Sequence, residues 1–269
     1  MDILKLERSV IPIIERDIAQ EKLYGAAVRV SIKGETVLDR DIGVKKSDLF
    51  RLASMTKPIT AAAVLLETER GRLGLRDTVK KYLPTYSGMH IGRLENGRAL
   101  QNRRAVTDIS VLHLLTHTSG ILSGDIGEQF FPELGTHRST LESAVDYYPE
   151  TLLGFEPGSM QAYSPLGAFD VAARIVELTS GMAYDEYLER TIFAPLGICD
   201  TGFSLAPERR ARLAPMHSRD SDGHSITVTQ KGAMGSLPDT YFCAGGGLVG
   251  TADDYARFAD MLCRNGGGI

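Results

Sequence analysis

Ser54 and Lys57 stand three residues apart at the head of an apolar run, in the stretch Phe50-Arg51-Leu52-Ala53-Ser54-Met55-Thr56-Lys57-Pro58. The next residues, Ile59-Thr60-Ala61-Ala62-Ala63-Val64-Leu65-Leu66-Glu67, are rich in helix formers, which predicts a helix running to about Glu69. A spacing of three places the hydroxyl and the amine on one helix face. The first turn of a helix offers unpaired N–H groups and the positive end of the dipole, and both favour a developing oxyanion. A hydroxyl that loses its proton to a nearby amine can attack a carbonyl carbon. This is Ser-x-x-Lys chemistry, in which Lys stands where other acyl enzymes use His. Desolvation at the root of a buried helix would favour the neutral, proton-accepting amine. Alone, the pattern is weak, because a solvated first-turn Ser beside a surface Lys fits it too.

A phenol is the next candidate. Tyr163 follows the Pro157-Gly158 turn and precedes a predicted helix over 166–180. A Tyr beside a Lys can have its phenolate stabilised and act as a base. The plainer reading is a buried Tyr with a satisfied hydroxyl. His113 and His117 have a spacing that can grip a metal, but His-Leu-Leu-Thr-His lacks the Glu of a zinc protease motif and no third ligand is near. Helix and turn packing is the favoured role. Asp220-Ser221-Asp222-Gly223 lacks the later acidic ligands of a calcium loop and reads as a polar turn. Gly245-Gly246-Gly247-Leu248-Val249-Gly250 precedes a helix, as phosphate loops do, but fits neither phosphate-binding pattern and reads as close backbone packing. No metal and no cofactor is expected.

The elements that must position these groups are mixed. An amphipathic helix is predicted over 3–23, bent or broken near Pro12. Strands follow over 26–32 and 35–42, joined by the tight turn Lys33-Gly34. Gly71 is placed as the C-cap of the Ser54 helix. A short helical piece is predicted over 75–84, a polar loop over 89–106, and helices over 107–120, 139–148, 184–193 and 252–263, the last capped by Thr251. Between 208 and 235 a short charged helix and a polar loop are expected, with one strand-like run at 226–229. A single hairpin cannot stand alone in water, so more strands are needed than the pattern shows.

Bulk properties exclude some partners. The chain has 269 residues, 43% hydrophobic and 24% charged, with a net charge of -4. That is ordinary for a globular protein and gives no basic surface for nucleic acid. No apolar stretch reaches membrane-spanning length. The N-terminus lacks an apolar signal core, and Cys199, Cys243 and Cys263 have no C-x-x-C spacing, so a cytoplasmic protein with reduced thiols is expected. The partner expected is a small-molecule ester or amide; the oligomeric state is left open.

Several stretches together resemble the β-lactamase-related serine hydrolases: class C β-lactamases, D-Ala-D-Ala carboxypeptidases, family VIII carboxylesterases and fungal polyketide acyltransferases. The residues are Phe50 to Pro58, Leu114 to Gly120 (Leu-Leu-Thr-His-Thr-Ser-Gly), Phe155 to Ser164, Phe193 to Phe203 and Gly245 to Phe258. The resemblance implies an α/β (α+β) fold, an antiparallel sheet flanked by helices with a mostly helical domain inserted. The expected division is 1–74 and 241–269 in an incomplete sheet domain and 75–240 in the inserted domain, with the site in the crevice between them. It also implies Ser54 as the acyl-accepting nucleophile, Lys57 sharing or taking its proton, and Tyr163 as the base that later returns a proton to the leaving group.

Two departures shape the functional expectation. β-lactamase-like relatives carry Asn two places after the second-motif Tyr, where this chain has Pro165. That favours the esterase and acyltransferase branch over a β-lactamase or D-Ala-D-Ala carboxypeptidase. The family's third motif, His-x-Gly or Lys-Thr-Gly, is not found; Lys231-Gly232-Ala233 is a weak stand-in. Its strand would supply a second oxyanion donor, whose loss costs on the order of a hundredfold in rate. The expectation is a piece of a longer serine esterase or acyltransferase acting on small carboxylic esters, with a non-catalytic ligand-binding relative as the reading of another class.

Overall fold

The computed structural model describes residues 3–204, 206–222, 225–228, 238 and 240–269. In chain order the main elements are α1 (Ile3–Ala19), β1 (Ala26–Ile32), β2 (Glu35–Ile42), β3 (Phe50–Arg51), α2 (Thr56–Glu69), β4 (His90–Glu95) and β5 (Arg98–Arg104). There follow α3 (Val111–Leu115), α4 (Gly124–Glu128), α5 (Phe131–His137), α6 (Leu141–Tyr147), α7 (Gly167–Ser180) and α8 (Tyr184–Leu188). The last are α9 (Ala194–Leu196), α10 (Pro207–Arg210), β6 (Met216–Arg219), β7 (Ser225–Val228), β8 (Val249–Gly250) and α11 (Ala252–Cys263). Every strand pair is antiparallel, and the described strands form four two-stranded ribbons. The fold is the mixed α/β one expected.

The chain forms two compact units. The first comprises Met1–Arg51, Arg190–Ser236 and Val249–Ile269. Its β1–β2 hairpin pairs Ala26 with Ile42 and Ile32 with Glu35 across a two-residue turn. Lys33 and Gly34 both take positive φ there (53° and 85°), the backbone that matches the twist of paired strands. α1 packs on β2 and α11 on β1. Arg29 of β1, its side chain only 6% exposed, is neutralised by Asp39, Asp41 and Asp253. In the first turn of α11 the Asp254 carboxylate takes the Asp200 N–H and the Thr201 hydroxyl, while Thr251 caps the helix through the Asp254 N–H.

The second unit comprises Leu52–Glu189 and Leu237–Leu248. Its core is α2 packed on α7, with α3, α6 and α8 also against α7. Ile59, Ala62, Ala63, Val64 and Leu66 of α2, and Ala168, Phe169, Val171, Ala172, Ala173, Ile175 and Val176 of α7, are buried. Alanines on both helices let the backbones approach, and each large apolar side chain buried there contributes about 2 kcal/mol. Glu67, fully buried on α2, is held by Arg72 (2.6 Å), Tyr187 Oη (2.8 Å), Thr179 (3.1 Å) and Arg70 (3.2 Å).

Several local expectations are corrected. Residues 90–104 form the β4–β5 ribbon rather than a loop, closed by Asn96 and Gly97 at φ 51° and 75°. The Asn-Gly dipeptide is a hairpin signal, but almost every side chain beyond Gly92 is exposed, so no alternation marks the strands. The helix expected over 107–120 shrinks to α3, because Ser110 caps it through the His113 N–H and the chain turns at His117 (φ 57°). The piece at 75–84 is two single turns, Val79–Lys81 and Pro84–Tyr86. α1 runs through Pro12 and ends at Ala19. β6 adds a strand beside the one expected near 226–229. Lys231-Gly232-Ala233 lies outside the described residues.

Candidate active site

Ser54 lies in the tight turn Ala53–Met55 that leads directly into α2. Ala53 before it holds a left-handed backbone, φ 47°, which costs an L-residue about 1–2 kcal/mol. The Leu52 N–H bonds to the Leu248 carbonyl and the Leu248 N–H to the Thr56 hydroxyl, which ties this turn to the Gly-rich segment. Ser54 is exposed.

Lys57, one turn on, is only 6% exposed. Its Nζ donates to the Gly245 carbonyl (2.5 Å), the Pro165 carbonyl (2.7 Å) and Ser54 Oγ (3.2 Å). Three acceptors match the three N–H bonds of an ammonium. The nitrogen also lies 4.8 Å from the Tyr163 ring centre and 5.6 Å from that of Phe169, and ring faces attract a cation.

Tyr163 reaches the same point from 109 residues away: its Oη is 2.5 Å from Ser54 Oγ. Burial pushes the phenol up; hydrogen bonds to Lys57 and Ser54, with the Lys57 charge, pull it further the other way, so it lies below the ordinary tyrosine value. Tyr163 is 47% exposed and Ser54 is exposed too, so a ligand can reach the hydroxyl pair. The structure therefore brings Ser54, Lys57 and Tyr163 into one hydrogen-bonded cluster, all within the second unit.

Two glycines make close approaches that support it. A Cβ on Gly245 would sit 2.8 Å from the Pro165 carbonyl and from Leu166 Cα, so only Gly lets the two carbonyls that hold Lys57 converge. Gly120, at φ 78°, would drive a Cβ to 2.7 Å from the Phe155 carbonyl. Phosphate binding is not needed to account for the Gly-rich stretch.

Sequence reasoning missed Asp170. This fully buried carboxylate of α7 accepts from Tyr241 Oη (2.5 Å), Tyr148 Oη (2.7 Å) and the Ala244 N–H (2.9 Å). Burial pushes it up from the usual carboxylate value, and those three donors pull it part of the way back. The Ala244 carbonyl in turn accepts from Thr60 of α2. Asp170 thus anchors the segment that presents the Gly245 carbonyl to Lys57. A charge inside the apolar run Gly-Ala-Phe-Asp-Val-Ala-Ala was the available signal. His113 and His117 act apart: His113 Nδ1 accepts the Ser110 N–H, and His117 Nδ1 accepts the Ser164 N–H. Among the described residues no group of three His, Cys, Asp or Glu is arranged to hold a metal.

Comparison with known proteins bears on the family and the fold. The Beta-lactamase family model matches residues 10–269. Esterase EstB of Burkholderia gladioli is 30% identical over 299 residues, covering 99% of this chain and 72% of its own. Protein Rv1367c of Mycobacterium tuberculosis is 30% identical over 248 residues, 89% of this chain and 60% of its own, so the chain spans about three fifths of that relative. Among solved structures, EstCE1, a hydrolase with promiscuous acyltransferase activity, aligns with a TM-score of 0.78 at 23% identity over 99% of this chain and 75% of its own.

Proposed function

The chain belongs to the Beta-lactamase family, and from that premise we propose that it carries the acyl-transfer centre of a serine esterase or acyltransferase acting on small carboxylic esters. The observation that carries the proposal is the contact of one exposed hydroxyl, Ser54 Oγ, with both Tyr163 Oη and Lys57 Nζ.

The chemistry follows from those positions. The Lys57 ammonium, fixed by two backbone carbonyls, favours the phenolate of Tyr163. That phenolate takes the Ser54 proton as Oγ attacks the ester carbonyl carbon. The carbonyl oxygen becomes an oxyanion facing the Ser54 N–H at the start of α2, where the helix dipole also favours negative charge. The C–O bond to the alcohol breaks, Tyr163 returns the proton to the departing oxygen, and the acyl group remains on Ser54. Water, or a second alcohol, gives a proton to Tyr163 and attacks the acyl-Ser54 carbonyl; the bond from the acyl carbon to Ser54 Oγ breaks, Tyr163 returns the proton to Oγ, and the acid or new ester leaves.

Pro165 stands where an amide-holding Asn occurs in β-lactamase-like relatives, and this supports the ester reading over the β-lactam one. The test is turnover of a short-chain aryl ester and of a chromogenic cephalosporin by the chain and by Ser54→Ala. Ester turnover abolished by the substitution, with little cephalosporin turnover, is expected. Ester turnover that survives Ser54→Ala removes the proposal. Faster cephalosporin turnover moves it to the β-lactamase reading.

A further inference from the structure

His117 is joined on three sides to the segment that carries Tyr163. Its Nδ1 accepts the Ser164 N–H at 3.1 Å, and its backbone carbonyl accepts the Ala162 N–H at 3.1 Å. Its ring lies 4.6 Å from the Tyr163 ring and 5.3 Å from the Phe169 ring, centre to centre. Residues 162 and 164, one on each side of Tyr163, are therefore both tied to one histidine. The cost of that arrangement is visible in the backbone: His117 sits in the left-handed region at φ 57°. A neighbouring hydrogen bond, Gly158 N–H to the Thr118 carbonyl at 2.8 Å, continues the same pairing.

We propose that His117 is a positioning residue for acyl transfer: in its neutral form it holds Ser164, so that the Tyr163 hydroxyl between its two anchored neighbours stays on Ser54, and its protonation frees the Ser164 side of that hold. The reasoning is one of donors and acceptors. An imidazole nitrogen that accepts an N–H has no proton on it. When that nitrogen is protonated, two donors face each other, the bond to Ser164 is lost, and a second positive charge stands near Lys57. The charged and titratable groups facing the ring are Lys57 from α2 and Tyr163 from the bound segment; α7 presents the apolar Phe169. Burial first, and then the Lys57 charge, hold His117 below the usual histidine value of 6.5, so the neutral form prevails at neutral pH. The centre is thereby turned off by acid through a group that takes no part in bond making.

This inference rests on the reading of Tyr163 as the proton acceptor, and the experiment separates the two. The rate of covalent labelling by a fluorophosphonate is measured from about pH 4.5 to 9 for the wild-type chain, Tyr163→Phe, His117→Asn and His117→Ala, with melting temperature recorded for each. Asn keeps an acceptor for the Ser164 N–H and tolerates the left-handed backbone, but cannot be protonated. Beyond the fall that protonation of Tyr163 gives, the wild-type rate is expected to drop more steeply through a second acid limb with a midpoint below 6.5. His117→Asn should label within about fivefold of wild type near pH 8 and lack that acid limb. His117→Ala should be slower by about tenfold to a hundredfold per folded molecule. A second acid limb below 6.5 that is unchanged in His117→Asn overturns the inference, even if His117→Ala fails to fold. So does a folded His117→Ala that labels at the wild-type rate. If Tyr163→Phe labels as fast as wild type, the reading of Tyr163 has failed instead.

Discussion

Truncating Asp170 to Ala tests whether the site is supported from α7. The carboxylate is fully buried and holds three donors, Tyr241 Oη at 2.5 Å, Tyr148 Oη at 2.7 Å and the Ala244 N–H at 2.9 Å. Each orphaned buried donor costs about 1–3 kcal/mol, so the gross penalty is about 3–9 kcal/mol. Removing the carboxylate also removes its own desolvation cost, which offsets part of this, leaving a loss of about 3 kcal/mol. Asp170→Asn keeps an oxygen for Ala244 and can donate to the tyrosine oxygens, so about 1–2 kcal/mol is expected there. Urea unfolding followed by tyrosine fluorescence reads this directly, since the chain has no Trp. The midpoint should fall with an unchanged slope. Labelling of Ser54 should slow too, because the freed Ala244–Gly245 segment no longer fixes a carbonyl on Lys57. A loss under about 1 kcal/mol for Asp170→Ala, with normal labelling, would refute the reasoning.

Two further outcomes concern pH. The Tyr163 phenol lies below the ordinary value of 10.0, so labelling of Ser54 should rise with pH to a plateau whose midpoint is below 10.0. Lys57→Met should move that midpoint upward, and an unmoved midpoint would contradict the Lys57–Tyr163 coupling. Asp77 is drawn down to about 2 by Lys81, Tyr82 and the Gly74 N–H, from an unperturbed 3.8. A depressed carboxylate stabilises the fold above its unfolded value, and that share is lost as pH falls through the folded one. Wild type should therefore lose more stability than Asp77→Asn between about pH 4 and 2 in acid melting curves; equal losses would show that Asp77 contributes nothing.

What the sequence made legible follows from locality. Ser54 and Lys57 share one helical turn, so their juxtaposition could be read from spacing alone. Their meeting with Tyr163 spans 109 residues and depends on α2 packing against α7 and the loop before it, which no periodicity reveals. Only the order of several motifs along the chain pointed there. The β4–β5 ribbon escaped because its exposed faces show no alternation, though Asn96-Gly97 marked the turn. Asp170 and Glu67 were invisible as anchors because a charge in an apolar helix discloses its partners only once the fold supplies them. The same holds for His117, whose spacing from His113 suggests a pair while their actual partners, Ser164 and Ser110, are separate.

The central claim, that Ser54 is an activated nucleophile, is tested most directly by intact-mass and peptide mapping of the chain after brief exposure to a fluorophosphonate. One adduct per chain, on the peptide carrying Ser54, formed at least about a hundredfold more slowly in Tyr163→Phe, is the predicted result. An unmodified chain, or an adduct on another residue, would contradict it.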